Sequence, residues 1–350
     1  MPKNAHITSP AGGLTTQIHA LLRTSKKKWT LEALSDQFDT GISAVRTAVN
    51  DLRSEGKNLH ITDGVELAQS IPPSDALRID VKKFKGSKIR FGLTADNHLG
   101  SKYYRDDVLN ALFDIWQEDG ITDVYQLGNM IDGDARFNKF DLLVHGMEAQ
   151  ANYFAEYWPQ REGMSTHFIT GDDHEGWYVQ REGIIIGEYL EMVARKTGRE
   201  DLFYLGHMEH DLIFQAKNGS STMRLIHAGG GTAYALSYQP QSIINSYQGG
   251  EKPNILLIGH YHKAEFNYWR EVLNLMAGCT EDQTPFMRKK NIQAHVGGWT
   301  IEFELDDEGI VHGFTPKWHP FYDRGFYAKK WAYRQDKGRV SGTSIRKVGR

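Results

Sequence analysis

The sequence predicts an α/β protein with a smaller helical domain ahead of it. Two observations carry this. From Ser87 onward, short apolar strands alternate with amphipathic helices, the pattern of a buried, largely parallel sheet. Before it, three short helices with apolar faces lead into two brief strands around a turn, a separate pattern that ends in a polar, Pro-containing stretch. At 350 residues the chain has room for one large and one small core.

The first helix places Leu14, Ile18, Leu21 and Leu22 on one face and is expected to end at Lys26–Lys28. Thr30 suits the N-cap of the second, whose Leu31, Leu34 and Phe38 recur at helical spacing. The third is expected from about Ser43 to Glu55, with Ile42, Val45, Val49 and Leu52 inward and Gly56 closing it. Asp63-Gly64 is a strong hairpin signal between two short strands. Residues 1–70 form the expected N-terminal domain and 71–86, with a charge run, the linker to an α/β domain over 87–323.

Within that domain Lys88–Ala95 reads as a strand, Arg105–Glu118 as a helix, and Val124–Leu127 as the second strand. A long helix is expected from about Asp141 to Trp158, then a third strand at His167–Thr170. Later strands are expected at 211–217, 223–227 and 255–258. The tail, 324–350, interleaves Phe326, Tyr327, Trp331 and Tyr333 with lysines and arginines. That composition suits phosphate pairing with base stacking, or a solvated basic end.

A net charge of −3 conceals an asymmetry: +3 over residues 1–86, −14 over 87–323 and +8 over 324–350. An acidic middle between basic ends is compatible with a cation-rich site flanked by polyanion-binding segments, and equally with a soluble enzyme bearing solvated tails. One cysteine, Cys279, excludes an internal disulfide framework and fits a reducing, cytoplasmic setting. No apolar run reaches a membrane span, so no membrane is expected as a partner.

Ligands of open α/β domains collect beyond the carboxyl ends of strands. Those positions here are occupied by Asp96-Asn97-His98, Gly128-Asn129-Met130-Ile131-Asp132, Gly171-Asp172-Asp173-His174-Glu175, His227 with three glycines behind it, and Gly259-His260-Tyr261-His262. Imidazoles and carboxylates thus recur at one sheet edge, a donor set that suits two divalent cations roughly 3.5–4 Å apart, able to activate water and to neutralise a phosphate. Mixed His and carboxylate donors without thiolate favour manganese, with iron or zinc as alternatives.

This ordered series, D-x-H, G-[D/N]-x-x-D, G-[N/D]-H-[D/E], H and G-H-x-H, resembles the calcineurin-like metallophosphoesterases over about residues 88–320. The resemblance implies a four-layer α/β sandwich. It implies that Asp96, His98 and His262 hold one metal, that Asp173, His227 and His260 hold the other, and that Asn129 stands at the bridging position. His174 corresponds to the histidine that acts as general acid or phosphate contact. His145, His167, His207, His210, His295, His312 and His319 match no motif and are expected to be structural or surface residues.

Two positions depart from the family. Its bridging Asp is Asn129 here, and its Asn before the histidine is Asp173, in a stretch one residue longer. Either the two residues are a natural exchange, with Asp173 restoring the charge, or Asn129 is an Asp→Asn change that disables the site while keeping its shape. The stretch TADNHLGSKYYRDDVLNALFDIWQEDGITDVYQLGN is similar to the nuclease subunit of SbcCD-type DNA-repair complexes, which implies DNA as substrate and an ATPase partner subunit. Lys102 and Arg105 would then contact phosphates. Those nucleases usually carry histidine where Asp132 stands.

Residues 12–70 resemble a winged helix-turn-helix domain, with Ser43, Arg46, Thr47, Asn50 and Arg53 on the outward face of the helix that would read DNA. Such a domain can also serve protein contacts, including a homodimer. The expected function is a metal-dependent DNA phosphodiesterase, a nuclease. The alternatives are a phosphatase or phosphodiesterase acting on nucleotides or phosphoproteins, and a non-catalytic DNA-binding regulator whose site has decayed at Asn129.

Overall fold

A computed structural model describes residues 13–322 apart from 26, 56, 62–63, 68–73 and 85–87. The tail over 324–350, Asp63 and Gly56 therefore lie outside the described residues. The chain begins with α1 (Leu14–Thr24), α2 (Leu31–Gln37) and α3 (Ile42–Ser54), followed by the antiparallel pair β1 (Leu59–Ile61) and β2 (Val65–Leu67). Thr30 caps α2 by accepting the Ala33 amide. Ile18, Leu22, Leu34, Val45, Val49, Leu52 and Val65 form a core of their own. Ile42 differs from expectation: it opens α3 and is 40% exposed, because the apolar stripe starts one turn later at Val45.

The remaining elements are β3 (Leu77–Asp80), β4 (Lys88–Thr94), α4 (Asp106–Glu118), β5 (Asp123–Leu127), α5 (Met147–Tyr157), β6 (Ser165–Thr170), α6 (Gly176–Glu182) and α7 (Ile186–Lys196). They continue with β7 (Leu202–His207), β8 (Glu209–Gln215), β9 (Ser220–His227), α8 (Tyr238–Ser246), β10 (Ile255–Gly259), β11 (Ala264–Trp269), β12 (Val272–Ala277), α9 (Pro285–Lys289), β13 (Gly297–Leu305) and β14 (Val311–Pro320).

Two six-stranded sheets result, ordered β14-β13-β4-β5-β6-β7 and β11-β12-β10-β9-β8-β3. Strands β4 to β7 run parallel, as do β9, β10 and β12, so their carboxyl ends share an edge within each sheet. Between the sheets lies an apolar layer including Phe91, Leu93, Leu127, Ile169, Leu225, Leu257, Leu275 and Phe303. Helices α4, α5 and α7 cover the outer face of the first sheet, and α8 that of the second. The protein is a four-layer α/β sandwich with a small helical N-terminal region, the layering that the family resemblance implies.

Several elements differ from the sequence reading. Residues 77–80, within the expected linker, form an edge strand on β8, because Ile79 completes the inter-sheet core. The helix expected from Asp141 begins only at Met147, since Gly146 at φ +84° ends an irregular loop there. Beyond residue 260, β11 to β14 were not anticipated. β11 pairs antiparallel with β12, and β13 antiparallel with β14 and β4, while β12 runs parallel to β10.

The helical region is seated on the end of α6. The Asn58 amide donates to the Gly183 carbonyl, His19 Nε2 lies 2.8 Å from the Glu182 carbonyl oxygen, and Arg23 pairs with Glu182 at 3.3 Å. Among the described residues no helix is long and apolar enough to cross a membrane.

Candidate metal centre

The loops after β4 and β5 are zipped together by backbone hydrogen bonds. Asp96 N donates to Gly128 O, His98 N to Asn129 O and Asp132 N to Leu99 O. Glu175, buried, accepts from the amides of Asn129, Met130 and Gly171 at 2.8–3.0 Å and so ties the β5 loop to the β6 loop. Asp96, His98, Asn129, His260 and His262 all have φ between +48° and +87°, a left-handed backbone that costs non-glycine residues free energy. Five of the ten such residues in the described chain therefore sit in this one cluster, where the surrounding hydrogen bonds hold them.

Six side chains expected as ligands meet in two groups. Asp96, His98 and His262 form one. His98 Nε2 is 3.3 Å from His262 Nε2, and Asp96 Oδ1 is 3.5 Å from His262 Nε2. Asp173, His227 and His260 form the other, with Asp173 oxygens 3.3 Å from His227 Nε2 and 3.2 Å from His260 Nδ1. Asn129 is buried and its Nδ2 lies 3.4 Å from Asp96 Oδ1.

Three of the four imidazoles are aimed by their other nitrogen. His227 Nδ1 donates to the Leu127 carbonyl at 2.7 Å, His98 Nδ1 to Asp132 Oδ1 at 2.8 Å, and His260 Nε2 to the Gly230 carbonyl at 2.7 Å. The nitrogens left over face the cluster, as in metal-ligating histidines whose tautomer is fixed from behind.

The residues fit a metal centre on two observations. Asn129 Oδ1, Asp173 Oδ1, His227 Nε2, His260 Nδ1 and His262 Nδ1 are buried without a hydrogen-bond partner, and orphaned polar atoms are rare in native interiors. The glycines also make room: a Cβ at Gly128 would lie 2.4 Å from the His227 ring, and one at Gly171 2.8 Å from Asn129 Oδ1. This donor set of histidines, carboxylates and an amide suits divalent cations.

His174 stands beside the first group, its Nδ1 2.9 Å from Asp132 Oδ1 and its ring 4.4 Å from that of His98. Burial alone would discharge the imidazole, but the Asp132 carboxylate pushes its pKa up to about 10. Asp132 is held at about 2: burial opposes its charge, and the two histidines outweigh that.

Two residues of the sequence motifs gain a role here, and a third carboxylate, Glu281, lies outside every motif. Asp132 orients both His98 and His174. Glu175 braces the loops. Glu281, beyond the unanticipated β12, is buried with Oε2 3.8 Å from His98 Nε2 and 3.9 Å from His262 Nδ1. Had β12 been recognised, the segment Gly278-Cys279-Thr280-Glu281 would have stood at the same sheet edge as the other ligands.

Arg105 corrects an expectation. It is fully buried, donating to Asp107, Asp282 and the Tyr322 carbonyl, and so has no face for a phosphate. Lys102 is exposed, with its ammonium donating to the Phe140 carbonyl. Ser43, Arg46, Thr47, Asn50 and Arg53 all lie exposed on α3. Of the histidines without a motif, His167 pairs with Asp123, His210 with Ser74 and His319 with Thr300.

No family profile matches the chain, and no curated protein does. Among solved structures it is similar to an archaeal phosphodiesterase (11% identity, 66% of this chain and 100% of that one, TM-score 0.32). It is also similar to zinc-complexed Vps29 from Entamoeba histolytica (11% identity, 67% and 100%, TM-score 0.31) and to GAP50 of Plasmodium (12% identity, 68% and 90%, TM-score 0.37).

Proposed function

We propose that this chain is a two-metal phosphodiesterase whose substrate is DNA. The observation that carries the metal centre is the pair of His/carboxylate groups sharing one sheet edge, each with buried donor atoms that lack a partner. Asp96, His98 and His262 would hold one cation, with Glu281 as an added carboxylate, and Asp173, His227 and His260 the other. Asn129 would lie between them. When bound, such cations supply charge neutralisation at phosphorus and a nucleophilic hydroxide near neutral pH, with manganese the first candidate and iron or zinc next.

The chain's own residues do the rest. His174, kept protonated by Asp132, is placed to give a proton to the leaving oxygen. Asp132 keeps His98 in the tautomer that turns Nε2 to the site. Asn129 would offer the cations an uncharged amide oxygen where a carboxylate would supply a negative charge, and activity would be lower for it. DNA as substrate is supported by three helices and a hairpin in winged-helix order, by the exposed Arg46 and Arg53 on α3, and by the basic tail sequence. An ATPase partner subunit, a homodimer and a cytoplasmic setting belong to the same reading.

The test is hydrolysis of linear DNA and of a small chromogenic phosphodiester with Mn(II), by this chain and by Asn129→Asp. DNA cleavage that Asn129→Asp raises at least tenfold supports the reading. Turnover of the small ester alone would move the function to a nucleotide or phosphoprotein phosphoesterase. Inertness of both forms towards every ester, with DNA still bound, would leave a DNA-binding regulator.

A further inference from the structure

The loop between β5 and α5 alternates charge and aromatic surface beside the metal centre. Arg136, Phe137, Lys139 and Phe140 are exposed, Phe137 to 57% and Phe140 to 86%, and neither cation forms an ion pair among the described residues. Large apolar rings left in water mark contact surfaces when they cluster.

This loop is held in place. Asn138 between the two aromatics is buried. Its Oδ1 accepts from Ala135 N at 2.9 Å, and its Nδ2 donates to Asp132 O at 2.9 Å and lies 3.2 Å from Asp132 Oδ2. Gln150 adds hydrogen bonds to the carbonyls of Gly133 and Val144. The carboxylate that orients His98 and His174 thus also anchors the aromatics. Phe137 stands edge-on to His174, with centroids 5.2 Å apart and planes at 89°, and 6.4 Å from the ring of Trp177, itself 39% exposed.

We propose that Phe137 and Trp177 form a stacking platform for the unpaired nucleobase next to the scissile phosphodiester, so that the strand bound at the centre is single-stranded DNA. The assignment rests on the phosphodiesterase reading above. A duplex keeps its base faces stacked inside and offers this wall only phosphates and sugars. A single strand offers both the π-face that the rings need and the phosphates that Arg136 and Lys139 can pair with. Rings fixed beside the proton donor would set the register of the strand, because the base they hold fixes which phosphodiester reaches His174.

The test is equilibrium binding of two short single-stranded oligonucleotides of equal length to the full chain at fixed salt. One carries 2-aminopurine among ordinary bases and the other is abasic at the same central positions. The parent is expected to bind the base-bearing strand more tightly and to quench its 2-aminopurine. Phe137→Leu and Trp177→Leu, surface changes that keep apolar bulk, are expected to weaken that binding roughly tenfold and abolish the quenching while leaving the abasic strand unaffected. Equal binding of both strands by the parent, or unchanged binding and quenching in both variants, overturns the platform. If Asn129→Asp still cuts DNA in that case, the phosphodiesterase reading survives alone, whereas an Asn129→Asp form that cuts no DNA overturns both.

Discussion

Arg105 sits fully buried between Asp107, Asp282 and the Tyr322 carbonyl, so its guanidinium clamps the start of α4 to the segment after β12. Removing one member of such a network leaves uncompensated buried charge. Arg105→Ala is expected to lower unfolding stability by about 3–5 kcal/mol in urea titrations. The salt dependence of DNA binding should stay unchanged, since no phosphate contact is lost. Glu281 makes the opposite prediction: Glu281→Gln keeps the shape and can still accept from Ser101, yet removes a carboxyl group that could ionise against a cation next to His98 and His262. It should weaken Mn(II) uptake at least tenfold with little change in the melting temperature of the metal-free protein. Asp123, far from the centre, reports on pH. Burial opposes its charge, but hydrogen bonds from His167 and Thr122 lower its pKa below the ordinary value. A carboxylate depressed in the fold contributes stability above the unfolded value of about 3.9 and loses it as pH falls through the folded value. Asp123→Asn should therefore cost about 1 kcal/mol at pH 7, partial exposure limiting the figure, and close to nothing once the pH lies below the folded value. Chemical denaturation at the two pH values checks it.

At the scale of elements, the strand ends decide the site, and they were readable because each motif follows an apolar run, three of them through a glycine (Gly128, Gly171 and Gly259). Gly128 and Gly171 give His227 its space, so Gly128→Ala, at φ +83° with its Cβ 2.4 Å from that ring, should destabilise the fold and displace a ligand. The expected readout is loss of about one Mn(II) per chain together with a lower melting temperature. Helix α3 carries the DNA-reading prediction: Arg46→Ala and Arg53→Ala should each weaken duplex binding across sequences and reduce the salt slope by roughly one. What the sequence hid has a common cause. The bond between His98 and Asp132 spans 34 positions and that between Arg105 and Asp282 spans 177, so neither leaves a local pattern. The edge strand β3 is four residues long with a single buried side chain, too little periodicity to separate from a linker. The segment from Asp141 to Gly146 reads as the start of a helix, but Gly146 at φ +84° ends an irregular loop there instead.

For the whole molecule, the two sheets serve to bring loops from β4, β5, β6, β9, β10 and β12 to one edge, and every proposed ligand comes from one of those loops. The α/β class followed from strand-then-motif spacing and the assignment of ligands to two cations from the family resemblance, whereas the bracing residues became visible only once the sheets were paired. The helical region is joined to the ligand edge through α6: this helix starts beside Asp173 and His174 and ends against Arg23, His19 and Asn58. The central claim is that the two groups of ligands hold two cations. It is tested most directly by equilibrium dialysis of the full chain against Mn(II), with elemental analysis of metal per chain, alongside His260→Ala and His98→Ala. Two equivalents for the parent and about one for each variant is the expected result. Fewer than one equivalent in the parent, or metal uptake that neither substitution alters, would contradict the account.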